Sequence, residues 1–223
     1  MQDEKVTDTS PVPLHDLGEG DSASLGEPAL GASALGSASL GGAALGGGSV
    51  ARLGGLSPAT FKLAFRNHPA GVAVITADAG DGPVGMTATS VFSVSAEPPL
   101  LVFSIADASS SSPTIRAAET VVVHLLGAGQ LDIAKLCATS GIDRFADTSI
   151  WDRLITGEPY FPAAHAWIRG KVIDQMRAGT STVVAVHALQ AKLPDDAAAE
   201  TERPLVYHNR TWHHLGDHSR LER

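Results

Sequence analysis

Between Gly71 and Ile105 the chain reads GVAVITA (Gly71–Ala77), DAGDG (Asp78–Gly82), VGMTATSVFSV (Val84–Val94) and, after Glu97-Pro98-Pro99, LLVFSI (Leu100–Ile105). β-Branched and apolar residues fill the three longer runs, as in strands that pack on a core. The Asp and Gly residues between the first two are turn formers. No helix-length segment separates the runs, so this stretch predicts strands that follow one another directly. Regular strand–helix–strand alternation is absent, which argues against a doubly wound sheet. The expected class is mainly β with inserted helices (α+β), an antiparallel barrel.

The C-terminal part extends the pattern. Ser109–Glu119 opens with a serine run and predicts a helix with Pro113 in its first turn and Ile115 and Ala118 facing inward. Thr120–Leu126 (TVVVHLL) is a fourth strand, and Gly129–Thr139 a second helix with apolar Leu131, Ala134 and Leu136. Residues 140–162 are loop-like with one short turn or helix. Ala164–Met176 and Thr182–Leu193 alternate as long strands, Asp195–Arg203 is a polar linker, and Leu205–Tyr207 and Thr211–Leu215 flank Asn209-Arg210 as a closing hairpin. Residues 216–223 form a charged tail.

Towards the N-terminus, Ser57-Pro58 is a helix-start signal, an N-cap followed by proline at the first helical position. Phe61, Leu63, Ala64 and Phe65 supply an apolar face, and His68-Pro69 ends the helix. The folded domain is therefore expected over residues 56–215. Residues 1–55 lack any aromatic residue, hold 12 of the 23 glycines, and repeat a Leu-Gly pair every five residues from Leu25-Gly26 to Leu45-Gly46. That period matches neither helix nor strand, and one leucine per repeat buries little against the ordering cost. A disordered tail is expected; a pentapeptide β-helix would need more stacked coils than five repeats make.

Charge follows the same boundary. Residues 1–27 carry seven acids against one base, a net −6 of the chain's −8. The near-neutral remainder argues against a nucleic-acid surface. The acidic start does not resemble a signal peptide, no run of 18 apolar residues exists for a membrane span, and a cytoplasmic address is the default expectation. A single cysteine, Cys137, rules out a disulfide framework and is expected to be a buried, inert thiol.

Two polar stretches stand out. Ser109-Ser110-Ser111-Ser112 before Pro113 sets hydroxyls and free N–H groups at a helix start, which suits an anion; an ordinary N-cap is the plainer reading. Gly85–Ser90 (GMTATS) places small polar residues inside an otherwise apolar strand, where they could meet a flat heterocycle or simply form a wet face. His208, His213 and His214 cluster on the last hairpin, but His213 and His214 are adjacent and point to opposite faces, so no metal site is expected. His124, in mid-strand, is expected to be a satisfied core histidine. There is no Gly-x-Ser-x-Gly elbow, P-loop or Gly-x-Gly-x-x-Gly after a strand.

Taken in order, RNHPAGVAVIT (Arg66–Thr76), GMTATSVFSVS (Gly85–Ser95), PPLLV (Pro98–Val102), SSSSPTIRA (Ser109–Ala117), QLDIA (Gln130–Ala134), DRF (Asp143–Phe145), PLVYH (Pro204–His208) and WHHL (Trp212–Leu215) resemble the flavin reductase domain family. That family has an FMN-binding split β-barrel and includes the reductase components of two-component flavin monooxygenases. The resemblance implies a flavin reductase that uses NADH or NADPH, binds FMN or FAD, forms a homodimer, and hands reduced flavin to an oxygenase component. It implies that Thr87, Ala88, Thr89 and Ser90 line the isoalloxazine, with Ser104 beside them. It further implies that Ser109, Ser110 and Ser111 grip the flavin phosphate, with Arg116 as a nearby cation. The chain departs from the family's Gly-Asp-His-Thr: it has Gly179-Thr180-Ser181-Thr182, so Thr180 and Ser181 stand where the family's Asp and His border the nicotinamide. A non-reductase flavin-binding protein on the same fold, or a ligand-free binding module, are the alternatives.

Overall fold

The structure, a computed structural model, describes residues 55–196 and 201–221. The tail expected over residues 1–55 lies almost wholly outside the described residues. Helix α1 (Pro58–Arg66) starts as its sequence demands, with the Ser57 hydroxyl accepting from the Thr60 N–H at 3.1 Å. It buries none of its residues, and Leu63 and Phe65 are exposed. The expected apolar face is therefore present without a partner among the described residues. Tight packing begins after it.

A short strand, β1 (Ala70–Gly71), leads into β2 (Ala73–Ala77) and β3 (Val84–Ala88). The run read as one strand over Val84–Val94 is two. After β3 the chain bends at Thr89-Ser90-Val91 and resumes as β4 (Phe92–Ala96), then β5 (Pro99–Ala106). Helix α2 (Ser112–Ala117), strand β6 (Thr120–Leu125) and helix α3 (Leu131–Ala138) follow. Residues 140–162 contain no helix but a small hairpin, β7 (Asp152–Arg153) with β8 (Pro159–Tyr160). The long strands β9 (Ala166–Ala178) and β10 (Ser181–Lys192) come next, then the hairpin β11 (Leu205–His208) and β12 (Thr211–His214).

Seven strands form one antiparallel sheet in the order β3-β2-β6-β9-β10-β5-β4. Strands β3 and β4, neighbours in sequence, are thus its opposite edges. Three residues join them, so the sheet must curl until its edges approach. Ser90 marks the seam: its hydroxyl accepts from the Ser104 N–H at 3.0 Å and donates to the Ser104 carbonyl at 3.3 Å, taking the place of a strand neighbour beyond the end of β4. No ladder pairs β3 with β4 or β5 among the described residues, so the barrel is split there. At the bend the Ser90 hydroxyl holds the Ser104 backbone across the seam.

The curled sheet has two cores. Its inner face, with Ile75, Met86, Phe103, Ile105, Val121, Val184 and Val186, closes on Ile115 and Ala118 of the α2 segment. Where β9 and β10 cross this interior, Gly170 is required: a Cβ there would lie 2.3 Å from Val186 Cγ1 and 2.8 Å from the His187 carbonyl. The outer face of β3, β2 and β6 carries the second core, in which Val74, Ala134, Cys137, Phe145 and Phe161 meet. The hairpin β11–β12, turned by Asn209 and Arg210 at positive φ, seats Leu205 and Tyr207 on that same core. The outer face of β10, β5 and β4 has no such cover among the described residues, and Phe92 and Met176 stand more than half exposed on it, at 57% and 58%.

Candidate functional site

Strand β3 presents an edge with no paired strand among the described residues. The Gly85 carbonyl accepts from Ser111 Oγ at 2.9 Å and so points away from β2. In an antiparallel ladder a residue's N–H and C=O point to one side and alternate along the strand. The main-chain groups of Thr87, two residues on, therefore face the same open edge. The Thr87 side chain is otherwise engaged, since its hydroxyl donates to the Ala134 carbonyl of α3 at 2.6 Å. Ala88 points into the inner core. Of the expected contacts on this strand, the backbone of Thr87 is available, its hydroxyl is not, and the Ala88 methyl packs inward. Gly85 permits the close approach of α3, for a Cβ would lie 3.3 Å from Cys137 Sγ and 3.4 Å from the Phe145 ring.

Across the seam lies a set of hydroxyls. Ser90, half-buried, is held on the Ser104 backbone. Ser104 is buried, and its own Oγ has no hydrogen-bond partner among the described residues. Ser181 pairs opposite Ala106, two residues from Ser104, so the Ser104 and Ser181 side chains share the outer face. Thr180 contributes through its backbone: its carbonyl accepts from the Asp107 N–H at 2.9 Å and ties the β9–β10 turn to the serine loop. Ser90 and Ser104 thus meet at the seam that follows β3, and Ser181 shares the outer face of Ser104. Thr89, half-buried, follows β3 at the same seam.

In the serine loop, Ser109 is half-buried and Ser110 exposed, whereas Ser111 and Ser112 are buried. The Ser111 hydroxyl is turned inward onto Gly85. Arg116 is committed to Asp107, 3.5 Å away, and Asp107 is shared with Arg177 at the same distance. The cation that meets the serine run is instead Arg144. Its Nη2 donates to the Thr139 carbonyl at 2.7 Å, its Nη1 approaches Ser111 Oγ at 3.5 Å, and its Nε is buried without a partner among the described residues. Arg144 was not among the expected site residues, although the DRF run contains it. Nothing local connects it to the serines 33 positions earlier; a lone arginine between Asp and Phe in a polar loop was the only signal.

His124, Cys137 and Glu158 are structural. His124 is fully buried, its Nδ1 3.0 Å from the Val74 carbonyl, while its Nε2 accepts from the Phe161 N–H at 3.0 Å. Nδ1 is therefore the protonated nitrogen of a neutral ring. Burial depresses its pKa to about 4, against the raising effect of the Val74 bond. Burial pushes the Cys137 thiol up to about 12, only partly offset by the Arg144 charge, so it is no nucleophile. Burial works to raise the Glu158 pKa, but bonds from Thr120, Thr156, its own backbone and Arg169 hold it below the ordinary glutamate value. A cavity of about 560 Å³ lies on the other side of α3, between Ile133, Leu136, Ile150 and Pro162, and none of the expected site residues lines it.

Residues 65–216 match the family described as the flavin reductase like domain. An NADH:FMN oxidoreductase of Rhodococcus qingshengii is 46% identical over 156 residues, covering 69% of this chain and 80% of that protein. An NADH:riboflavin 5'-phosphate oxidoreductase of Streptomyces pristinaespiralis is 37% identical, covering 71% and 88%. Among solved structures, a flavin reductase domain protein from Arthrobacter sp. FB24 aligns with a TM-score of 0.66 at 33% identity, over 71% of this chain and 95% of that one. BorF, the flavin reductase component of a bacterial two-component tryptophan halogenase, aligns at 0.63 with 27% identity, over 72% and 99%.

Proposed function

The chain belongs to the flavin reductase like domain family, and on that premise we propose that it oxidises NADH with FMN held along the open edge of β3 and releases the reduced flavin to a partner oxygenase. The observation that supports the placement is the edge of β3 away from β2, to which the Gly85 carbonyl and, by alternation, the Thr87 main chain point with no strand paired there among the described residues. A strand edge offers alternating donors and acceptors, and the rim of an isoalloxazine needs both. Bound there, FMN supplies the acceptor for the hydride that nicotinamide gives up as it becomes NAD+. The chain's own part is positioning. Thr87 and Thr89 fix one rim of the ring through the backbone, and Ser90 and Ser104 hold the seam behind it. Ser109, Ser110 and the Arg144 guanidinium face the phosphate, and Ser111 braces the loop through Gly85. Ser181, in place of the family's histidine, borders the same face, so the reaction rests on proximity rather than on a proton relay.

NADH and FMN are chosen over NADPH and FAD because the Rhodococcus and Streptomyces relatives are named for that pair. An oxygenase partner agrees with the naming of the Rhodococcus opacus relative, 27% identical, as the reductase component of a nitrophenol monooxygenase. A homodimer agrees with the apolar outer face of β10, β5 and β4, where Val102, Val183 and Ala185 lie between exposed Phe92 and Met176. A cytoplasmic location fits a consumer of NADH. Ser181 also favours a second reading, a protein that binds flavin without reducing it. Stopped-flow mixing of the FMN-loaded protein with NADH separates the two: bleaching of the flavin band supports the reductase, and an unchanged band with FMN still bound leaves only the second.

A further inference from the structure

The small sheet, apart from the flavin edge, carries a second chemical grouping. His208 and His213 stand on the two strands of the closing hairpin. The register pairs His208 with Thr211 and His213 with Val206, so the two histidines are diagonal neighbours on one face. That face points away from the core, because Leu205, Tyr207 and Trp212 occupy the opposite one. His208 is half-buried and His213 exposed, and their ring centroids are 5.6 Å apart. The turn between them is held by two residues at positive φ, Asn209 and Arg210, so the strands cannot slide without undoing it.

This spacing suits a metal. A ring nitrogen lies just over an ångström from its centroid, and a zinc–imidazole bond is about 2.0–2.1 Å. Two imidazoles on a tetrahedral ion therefore have centroids roughly 5.2 Å apart, and at a right angle roughly 4.5 Å. The observed 5.6 Å needs a shift of a few tenths of an ångström for the tetrahedral case and about an ångström for the other. His214 and His218 form a similar pair at 5.5 Å, but Arg203 Nη1 lies 3.4 Å from His214 Nε2 and sets a positive charge where the metal would go. No cluster of three or more metal-ligating side chains exists among the described residues, so solvent must complete the coordination.

We propose that His208 and His213 form a two-imidazole surface site for a tetrahedral divalent transition metal, with Zn2+ the best fit. The site cross-links the hairpin that covers the second core. It stands independently of the flavin reading. The test is calorimetric titration of ZnCl2 into the full-length, untagged, metal-free protein in a non-chelating buffer. His208→Gln and His213→Gln should each weaken zinc binding at least about tenfold, while His214→Gln leaves it within about twofold. Without zinc, all three variants should melt with the wild type. A loss below fivefold for either of the first two, an equal loss for His214→Gln, or no zinc binding by the wild type overturns the site. Should a variant fail to fold, long-range proton–nitrogen correlation spectra of the wild type decide the matter: zinc must move the ring nitrogens of His208 and His213 together, and movement of other histidines instead overturns the proposal.

Discussion

Two halves of one sheet face meet different ends. Over β3, β2 and β6 the outer face is roofed by α3, Phe145 and Phe161, and its polar groups are matched: Thr87 donates to Ala134, His124 bonds Val74 and Phe161, and Thr76 donates to the Pro159 carbonyl. Over β10, β5 and β4 the same kind of alternating strand faces outward with no cover among the described residues, and Phe92 and Met176 are exposed while Ser104, at the seam, is buried. The strands do not differ in character. What differs is whether later chain returns over them. The segment 128–164 crosses the first half and makes it core; no described segment crosses the second, which is left as an open face.

The largest effect should come from stripping the roof. Phe161→Ala removes a fully buried ring stacked on Phe145, and a loss of about 3–5 kcal/mol in urea unfolding is expected. A loss below 1 kcal/mol would mean that the covered half is not a true core.

Acid should attack the covered half next. His124 has its pKa lowered in the fold, from 6.5 to about 4, so the unfolded chain binds the extra proton first. Its contribution is complete above pH 6.5 and fades as pH falls towards 4, a loss of about 2 kcal/mol by pH 5. Comparing unfolding at pH 7.5 and 5 for wild type and His124→Gln checks this; an equal pH dependence in both would remove His124 as its source. Glu158 and Asp78, whose pKa values are lowered too, contribute stability that is lost at lower pH still.

At the boundary between the halves, Arg144→Gln should weaken FMN by about 1.5–3 kcal/mol and riboflavin, which has no phosphate, far less. Equal weakening, read by fluorescence quenching, would place Arg144 outside the phosphate site. Arg116→Gln should have the smaller effect of the two, because its charge is engaged by Asp107.

The smallest effect on folding should come from the open half. Phe92→Ser, at a position 57% exposed, should change the unfolding free energy of the dilute chain by less than about 1 kcal/mol while shifting the sedimentation of the concentrated protein towards monomer. Unchanged sedimentation would show that the uncovered face is not where two copies meet.

Much of this was legible in the residues. The α1 cap, the helix at Leu131–Ala138, the two long strands and the Asn209-Arg210 hairpin follow from turn chemistry and periodicity within a few residues. His124 and Cys137 were recognisable as core groups because apolar neighbours surround them in sequence. The serine run was readable as the start of a helix, but which serines face outward was not: Ser111 turns in to bond the Gly85 carbonyl, 26 positions away. The sequence does not say whether Thr87 would act through its hydroxyl or its backbone; in the structure the hydroxyl is engaged by the Ala134 carbonyl, because α3 lies over that side chain.

By itself, then, the sequence determined the local states of the chain, since period, caps and turns depend on sterics and hydrogen bonds between residues a few positions apart. It did not determine who lies beside whom. That β3 and β4 end up at opposite edges, that Arg144 meets Ser111, and that one half of a face is roofed while the other is bare are outcomes of closing the whole sheet. There the stabilising burial is summed over contacts between residues tens of positions apart, and each segment's partners are set only once all the others are in place.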